Sequence, residues 1–282
     1  MVGLGVSLTD AQWARIEPLL PDRLRKRGGR WCDHRQVIDA IVLKVQTGSQ
    51  WVHLPERYGN WRGVYNRLRM WAVDGTLERV FTAQADADEN LNWAVSVDST
   101  IVRAHQHAAG ARKRAPAGEP DDHAIGRSRG GLTTKIHLAA DGHCRPLVFY
   151  LTAGQACDAP AFAEVMVRMR VPRRRGRPRT TPNVVLTDKA YSPRAIRQHL
   201  HKRGIRAVIP VPAGQQAHRL RRGSRGGRPP AFDRETYKQR NTVERCINRL
   251  KLVAGHRHRY EKTATMSLAG LHIAGIFLWS AR

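Results

Sequence analysis

The sequence has few cysteines, and their spacing excludes two classes of small scaffold. Of 282 residues, four are cysteine, and none belongs to a C-x-x-C pair. They are Cys32, Cys144, Cys157 and Cys246. A zinc ribbon or a disulfide framework needs paired or closely spaced cysteines, so both are disfavoured and free thiols are expected.

Acidic residues are also scarce. The chain has 23 Asp and Glu against 49 Lys and Arg, a formal net charge of +26. Self-repulsion at this charge destabilises a compact protein unless a polyanion offsets it, which disfavours a metabolic enzyme. Nucleic acid bound through its phosphates is the expected partner. An anionic membrane surface is the weaker alternative, because no basic amphipathic helix stands out as an anchor.

Long apolar runs are missing as well. The N-terminus lacks the charged start and apolar run that are typical of a secretory signal. The most apolar stretch, residues 264–279, is shorter than a typical membrane-spanning helix and contains Gly270, His272 and Gly275. It therefore predicts a buried core helix, and no membrane partner is expected.

Residues 1–84 have the pattern of short helices. One is predicted from about Asp33 to a C-cap at Gly48, and another opens at Asn60. Short helices, a glycine-containing turn and a basic last helix predict an all-α, helix-turn-helix-like DNA-binding domain. The alternative is a plain helical bundle. If DNA binds here, the groove or phosphate contacts are Arg62, Asn66, Arg67 and Arg69, whose three arginines we expect to be exposed.

A polar, acidic linker at 85–92 precedes a second predicted domain, 93–282, in which strands alternate with helices. Strands are predicted at 93–97 and 183–187, and a hairpin at 132–139 and 145–151 turns at Asp141-Gly142. The predicted fold class is therefore mixed α/β.

Two basic segments of this domain are predicted as loops. Residues 101–130 contain His105 and His107, which are either a metal pair or part of a solvated loop. Residues 173–179 contain an Arg-Gly-Arg-Pro sequence that includes Arg177. This sequence either enters an A·T-rich minor groove or belongs to a purely electrostatic loop.

Residues 237–251 contain no Gly or Pro and predict one helix. At roughly 100° per residue, four polar residues fall within an arc of about 60°, beside an apolar arc that packs on a core. These four are Tyr237, Arg240, Glu244 and Lys251. The stripe is either a ligand-binding edge or an exposed face with incidental charge pairs.

Three carboxylates have contexts that favour a shared site. Asp98 and Asp188 each follow a predicted strand, and Glu244 lies on the predicted helix. Strand ends meet at one edge of a parallel sheet, where α/β folds place their ligands. Three close carboxylates repel unless cations neutralise them, and hard ions such as Mg²⁺ or Mn²⁺ suit them. Two such ions about 4 Å apart assist in-line phosphoryl displacement.

These motifs resemble those of a known family. The spacing Tyr237-x2-Arg240-x3-Glu244-x6-Lys251 is similar to the Y-R-E-K signature of bacterial insertion-sequence transposases with an Asp-Asp-Glu active site. The group is the one numbered four and five among insertion sequences. Three more segments resemble the family's in the same order: Val97-Asp98-Ser99-Thr100, the run 126–137, and Thr187-Asp188-Lys189-Ala190-Tyr191.

The resemblance implies an RNase H-like catalytic domain. It implies cutting at terminal inverted repeats, joining of 3′-hydroxyl ends to double-stranded target DNA, and a cytoplasmic, nucleoid-associated protein. Asp98, Asp188 and Glu244 would be the catalytic metal ligands, and Tyr237, Arg240, Lys251 and Lys189 would contact the DNA. A homodimer at synapsis is plausible. The alternatives are a non-catalytic DNA-binding repressor or architectural protein, and a nuclease of the same fold without strand transfer.

Overall fold

The computed structural model describes residues 8–22, 32–86, 91–111, 119, 122–173, 175–253, 255 and 257–280. Of the predicted linker, residues 87–90 lie outside this set, as do 112–118, 120 and 121 of the predicted loop. The helices are α1 Asp10–Ile16, α2 His34–Thr47, α3 Trp61–Val73, α4 Thr76–Asp86, α5 Gln106–Ala109, α6 Asp158–Arg168, α7 Arg194–Lys202, α8 Ala213–Arg221, α9 Arg234–Tyr237, α10 Asn241–Leu252 and α11 Ala264–Ser280. The strands are β1 Ala94–Ala104, β2 Gly126–Ser128, β3 Gly131–Ala140, β4 Pro146–Ala153, β5 Val184–Thr187, β6 Arg206–Val208 and β7 His258–Arg259.

One mixed sheet organises the second part of the chain. Its main path runs β4-β3-β1-β5-β6, with the short β2 on β3 and β7 on β1. Strands β1, β3 and β4 pair antiparallel, whereas β5 and β6 run parallel to β1. This order and these directions are those of an RNase H-like fold. The predicted mixed α/β class is therefore confirmed.

Strand β1 is longer than the sequence predicts. It continues through Asp98 to Ala104, because β3 pairs with it as far as Arg103. The prediction that the strand stops at Val97 is wrong for this reason: the antiparallel partner extends a strand that an Asp-Ser-Thr sequence would otherwise end. Part of the predicted loop 101–130 is accordingly strand, followed by the short helix α5.

Helices cover both faces of the sheet. Helix α10 packs on β1 and β3, and α6 packs on β3 and β4. Residues alternate between the faces along a strand. Ser96, Asp98 and Thr100 therefore lie on the α10 face, while Ser99 lies on the α6 face, where it bonds to Asp158. The first face carries the candidate site.

The N-terminal helices share a core with the last helix. Helix α11 packs against α2, α3 and α4 as well as against β4 and α10. Phe81 of α4, Phe149 of β4 and His272 of α11 form a contiguous aromatic cluster. The interior of α11 is largely buried, as predicted from its composition. Within the described residues, no helix combines the length and the apolar character that crossing a bilayer requires.

Local signals account for the helix ends. Asp33 accepts hydrogen bonds from the amides of Arg35 and Gln36 at the start of α2, and Gly48 ends it with φ of 68°. Asn60 caps α3 through the amide of Arg62. These side chains satisfy amides that have no partner inside the helix, which confirms the predicted starts and the predicted C-cap.

Candidate active site

Two aspartates lie side by side at the centre of the sheet. The parallel pairing of β1 and β5 runs from Ala94↔Val184 to Val97↔Thr187. The next residue along β1 is Asp98, and the residue that directly follows the end of β5 is Asp188. Neighbouring strands are separated by about 4.8 Å, and paired positions share a face. The register thus brings together two carboxylates that are 90 residues apart in the sequence.

Helix α10 brings a third carboxylate to this face. Its buried side, which includes Val243, Cys246 and Leu250, rests on β1 and β3. Thr242 Oγ1 and Ser96 Oγ are 3.1 Å apart, and both side chains are buried. This hydroxyl pair fixes the helix over β1, two residues before Asp98. Glu244, two residues after Thr242, is exposed beside the pair of aspartates.

Arg240 connects two of the carboxylates. Its Nη2 donates to Asp98 Oδ2 at 2.6 Å, and its Nη1 donates to Glu244 Oε1 at 2.6 Å. The Arg240 side chain is only 18% exposed. One guanidinium therefore bridges an acid on the sheet and an acid on the helix, with one hydrogen bond to each.

The electrostatics of Asp98 reflect this crowding. Burial raises the pKa of its carboxyl group. The Ser99 amide and the Arg240 guanidinium oppose that rise, while the charges of Asp188 and Glu244 add to it. The other two acids therefore act on Asp98 over a short range, as expected for negative groups that lie near one another.

Tyr237 lies at the border of the same group. Its ring packs on the small apolar cluster of Val184, Leu186 and Val208 at the β5–β6 end of the sheet. Burial raises the pKa of its phenol, Arg240 opposes the rise, and the charges of Asp188, Asp98 and Glu244 increase it. Tyr237 therefore lies near the acids because its ring packs on the sheet, and not because it shares one regular helix with Glu244.

The predicted single helix 237–251 is wrong in its first turn. Helix α9 ends at Tyr237, a 3₁₀ turn covers Lys238–Arg240, and α10 begins at Asn241. An even rotation of 100° per residue therefore does not hold between Tyr237 and Glu244. Arg240 nevertheless meets Glu244, and Lys251 is seven residues beyond Glu244, about 10 Å along α10. Lys251 lines a small space with Thr100, further along β1 on the same face.

The remaining candidates lie at the surface. Lys189 is exposed in the turn that follows Asp188, whose carboxylate accepts from the Ala190 amide. Arg177 is exposed in the loop closed by the Val171–Arg179 bridge. Both side chains are exposed, and both stay predicted DNA contacts.

The basic helix α3 presents its polar residues in two directions. Arg62 and Asn66 are exposed. Arg67 is half-buried, with Nη1 3.1 Å from His34 Nδ1 and its guanidinium over the Trp71 ring. Arg69 is also half-buried, 4.0 Å from Glu119. The expectation that all three arginines are exposed is wrong for Arg67 and Arg69, because a buried partner holds each of them: His34 of α2 holds Arg67, and Glu119 holds Arg69.

A polar network that the sequence did not reveal lies behind the aspartates. Asp158 of α6 accepts from Ser99 Oγ at 2.7 Å and from Lys135 Nζ at 3.0 Å. Burial lowers the pKa of the neighbouring His137 to about 4, although Asp158 opposes the shift. The network supports β1 from the opposite face at the residue after Asp98. The only signal in the sequence for this network is the alternation of side chains between the two faces along β1 and β3.

The donor set suits a hard cation. Asp98, Asp188 and Glu244 offer carboxylate oxygens, the ligands that Mg²⁺ and Mn²⁺ prefer. A cationic group, Arg240, already lies between two of them. Within the described residues, no three His, Cys, Asp or Glu side chains converge closely enough to hold one ion. The chemical type of these ligands therefore fits a divalent ion. Coordination of one ion by all three acids would require the Arg240 side chain to move away from Asp98 and Glu244.

Two family models cover most of the chain. Residues 8–81 match DUF4096, whose description names a transposase of the IS4/5 family, and residues 89–278 match the "Transposase DDE domain". A curated relative, "Uncharacterized protein y4sN" of Sinorhizobium fredii (strain NBRC 101917 / NGR234), is 40% identical over 106 residues, which are 38% of this chain and 83% of that protein.

Solved structures give a much fainter likeness. "Crystal structure of the Mos1 Strand Transfer Complex" covers 86% of this chain and 83% of that chain at 15% identity and a TM-score of 0.27. "Mos1 transposase paired-end complex with left transposon end" covers 88% and 87% at 15% identity and a TM-score of 0.26. Likeness at this level is too low to bear on activity. The domain match, which spans well over half of the residues and contains all three acids, shows that the chain belongs to the DDE transposase family and is a DNA transposase.

Proposed function

We propose that this transposase binds the terminal inverted repeats of an insertion sequence, hydrolyses phosphodiesters there, and joins the 3′-hydroxyl ends to target DNA. The observation that carries the proposal is the register of β1 and β5, which places Asp98 beside Asp188 under the helix that bears Glu244. Asp98, Asp188 and Glu244 are the proposed ligands of two Mg²⁺ or Mn²⁺ ions. Such ions, when bound, activate the attacking oxygen and stabilise the leaving oxygen.

The other side chains bind and orient the DNA strand. In the structure Arg240 forms ion pairs with both Asp98 and Glu244. When cations neutralise these acids, its guanidinium becomes available to bind a phosphate. Lys251, about 10 Å further along α10, contacts the next part of the same strand as a point charge. Tyr237 and Lys189 border the acids on the β5 side. The net charge of +26 supports a large contribution from phosphate contacts.

The helical part supplies a second contact with the DNA. We propose that residues 1–84 form the end-recognising domain, with Arg62 and Asn66, both exposed on α3, reaching the groove. Arg177 on its exposed loop adds a phosphate or minor-groove contact. Two copies of the chain would hold two ends at synapsis, inside the bacterial cytoplasm. Gel filtration of the protein on paired ends checks that stoichiometry.

Cleavage of labelled DNA that contains one end of the encoding element tests the catalytic proposal. With Mg²⁺ or Mn²⁺, the wild type should nick at the end, and Asp188→Asn and Glu244→Gln should bind the end without cutting it. Glu235→Gln is the matched control. Glu235 lies nine residues before Glu244 and is likewise ion-paired at the surface, to Lys238 at 2.7 Å.

The outcomes separate the alternatives. Full cleavage by Asp188→Asn contradicts the assignment of the acids. Binding without cleavage by the wild type, under any divalent ion, indicates a repressor or architectural protein. Cleavage without joining of supplied pre-cut ends indicates a nuclease that lacks strand transfer.

A further inference from the structure

A cavity of about 480 Å³ lies between the helical part and the far end of β1. Trp51, from the 3₁₀ turn Trp51–His53, and Tyr65, from α3, line one side. His105 and Tyr260, which directly follow β1 and β7, line the other. His105 is the first residue after β1, about 20 Å along the strand from Asp98. The cavity is therefore distinct from the acidic site.

Aromatic rings dominate its wall. Trp51 and Tyr65 meet edge to face at 5.5 Å. The ring of His105 is tilted by 37° to its two neighbours, with centroids 4.9 Å from that of Tyr260 and 4.8 Å from that of His107. All of these rings line the cavity; His107 is exposed, and the other four are half-buried. The wall therefore offers flat π surfaces that another flat ring can stack against.

A buried cation faces the same space. Lys44 is 6% exposed and lines the cavity. Its Nζ lies 5.8 Å from the Trp51 ring centroid and 5.6 Å from that of Tyr260. No carboxylate or hydrogen-bond acceptor among the described residues is paired with this ammonium. The ammonium borders the open cavity, where an anionic group that enters can pair with it.

Aromatic surfaces beside a cation that has no anionic partner among the described residues are features that recognise a nucleotide outside a duplex. In duplex DNA the faces of a base are covered by its neighbours, so protein rings reach them only when the base has left the stack. The volume is in the range of small-molecule sites. Glu261 also lines the cavity, and a carboxylate is an acceptor of the kind that an exocyclic amine of a base requires.

We propose that this cavity holds one unpaired nucleotide of the DNA end, with its base against Trp51 and Tyr260 and its phosphate beside Lys44. The identity of the DNA as an element end rests on the function proposed above. A duplex spans 20 Å in about six base pairs. The captured nucleotide should therefore lie about that far from the phosphodiester at the acids.

The test uses the full chain in EDTA, so that no cutting occurs. The probes share one end-containing sequence: a fully paired duplex, and duplexes with one unpaired 2-aminopurine at each of positions three to nine. Free 2-aminopurine deoxynucleoside monophosphate is a separate probe. We expect tighter binding of one bulged duplex than of the paired one, by about tenfold, together with quenching of its fluorescence by stacking.

Trp51→Ala and Lys44→Met should remove that preference, and Trp51→Phe should largely keep it. Arg57→Met is the matched control for Lys44→Met. Arg57 also lies over an aromatic ring, 4.8 Å from that of Tyr58, but does not line the cavity. It should weaken paired and bulged probes equally, and circular dichroism identifies any variant that has unfolded.

Equal affinity for paired and bulged probes, or a preference that survives both cavity variants, overturns the proposal. Tight binding of the free monophosphate without preference for a bulge also overturns it, in favour of a free nucleotide ligand. A protein that prefers the bulge but never cuts DNA leaves the cavity assignment in place and contradicts only the catalytic one.

Discussion

Arg240 Nη2 lies 2.6 Å from Asp98 Oδ2, so a positive group occupies part of the space in which the DDE acids would hold an ion. The same guanidinium contacts Glu244. In the proposed site, the arginine and a divalent cation would compete for these oxygens. Binding of DNA phosphate to Arg240 would resolve the competition and couple metal binding to the presence of substrate.

The first prediction follows from this competition. Arg240→Gln should bind Mn²⁺ several-fold more tightly than the wild type without DNA, because a charge-assisted hydrogen bond to each acid is lost. The same variant should bind DNA ends less well. Titration calorimetry with Mn²⁺ measures the first effect. Lys238→Gln, which removes an exposed charge two residues away, is the control, and unchanged or weaker Mn²⁺ binding by Arg240→Gln would contradict the competition.

The second prediction concerns the docking of α10. Thr242→Val leaves the buried Ser96 hydroxyl without its partner 3.1 Å away. An unsatisfied buried hydroxyl costs about 1–3 kcal/mol, so the free energy of unfolding should fall by that amount in urea denaturation. The double variant Ser96→Ala/Thr242→Val should lose less than the sum of the single variants. Simple additivity would show that the two hydroxyls do not interact.

The third prediction concerns Gly275 in α11. A Cβ added there would lie 2.5 Å from a ring carbon of Phe81 and 3.1 Å from one of Phe149. Gly275→Ala should therefore destabilise the protein by about 1–3 kcal/mol, in spite of alanine's better helix propensity. Gly214→Ala, in α8 with no atom within 4 Å of its new Cβ, is the control and should be neutral or slightly stabilising. Equal effects at both positions would contradict the tight packing of α11.

The fourth prediction is a pH dependence from the aromatic cluster. Burial lowers the pKa of His272 to about 3, from 6.5. The unfolded chain therefore binds this proton more readily between these values, and stability contributed by the neutral ring is lost as the pH falls below 6.5. The free energy of unfolding should be about 2 kcal/mol lower at pH 5 than at pH 7 from this residue. His272→Phe should reduce the difference in the free energy of unfolding between pH 5 and pH 7 by that amount. An unchanged difference would contradict burial of the neutral ring.

The sequence predicts the acids better than their surroundings. Asp98 and Asp188 could be identified because apolar runs precede them, and Glu244 because it belongs to a spaced signature. The register of β1 and β5 is not visible in either strand alone, since parallel partners carry no turn that sets their alignment. The extension of β1 could not be predicted from the sequence, because pairing with β3 overrides the turn preference of Asp98-Ser99-Thr100.

The contacts of the arginines could not be predicted either. Arg67 is predicted to be exposed and Arg240 is predicted on the polar stripe, yet Arg67 meets His34 and Arg240 meets Asp98. These partners are 33 and 142 residues away in the sequence, which no periodicity encodes. Likewise, Trp51, His105 and Tyr260 come from three separate segments, so the cavity they line has no local signature.

The packing of α11 against α2, α3 and α4 has a consequence for biosynthesis. The first third of the chain leaves the ribosome without the helix that completes its apolar core, and must wait until residues 264–280 have been translated. Aromatic surface on the nascent helices stays open during that interval, which makes chaperone dependence a property of the topology. A ribosome that stalls late would release a product with neither a finished core nor firmly packed N-terminal helices.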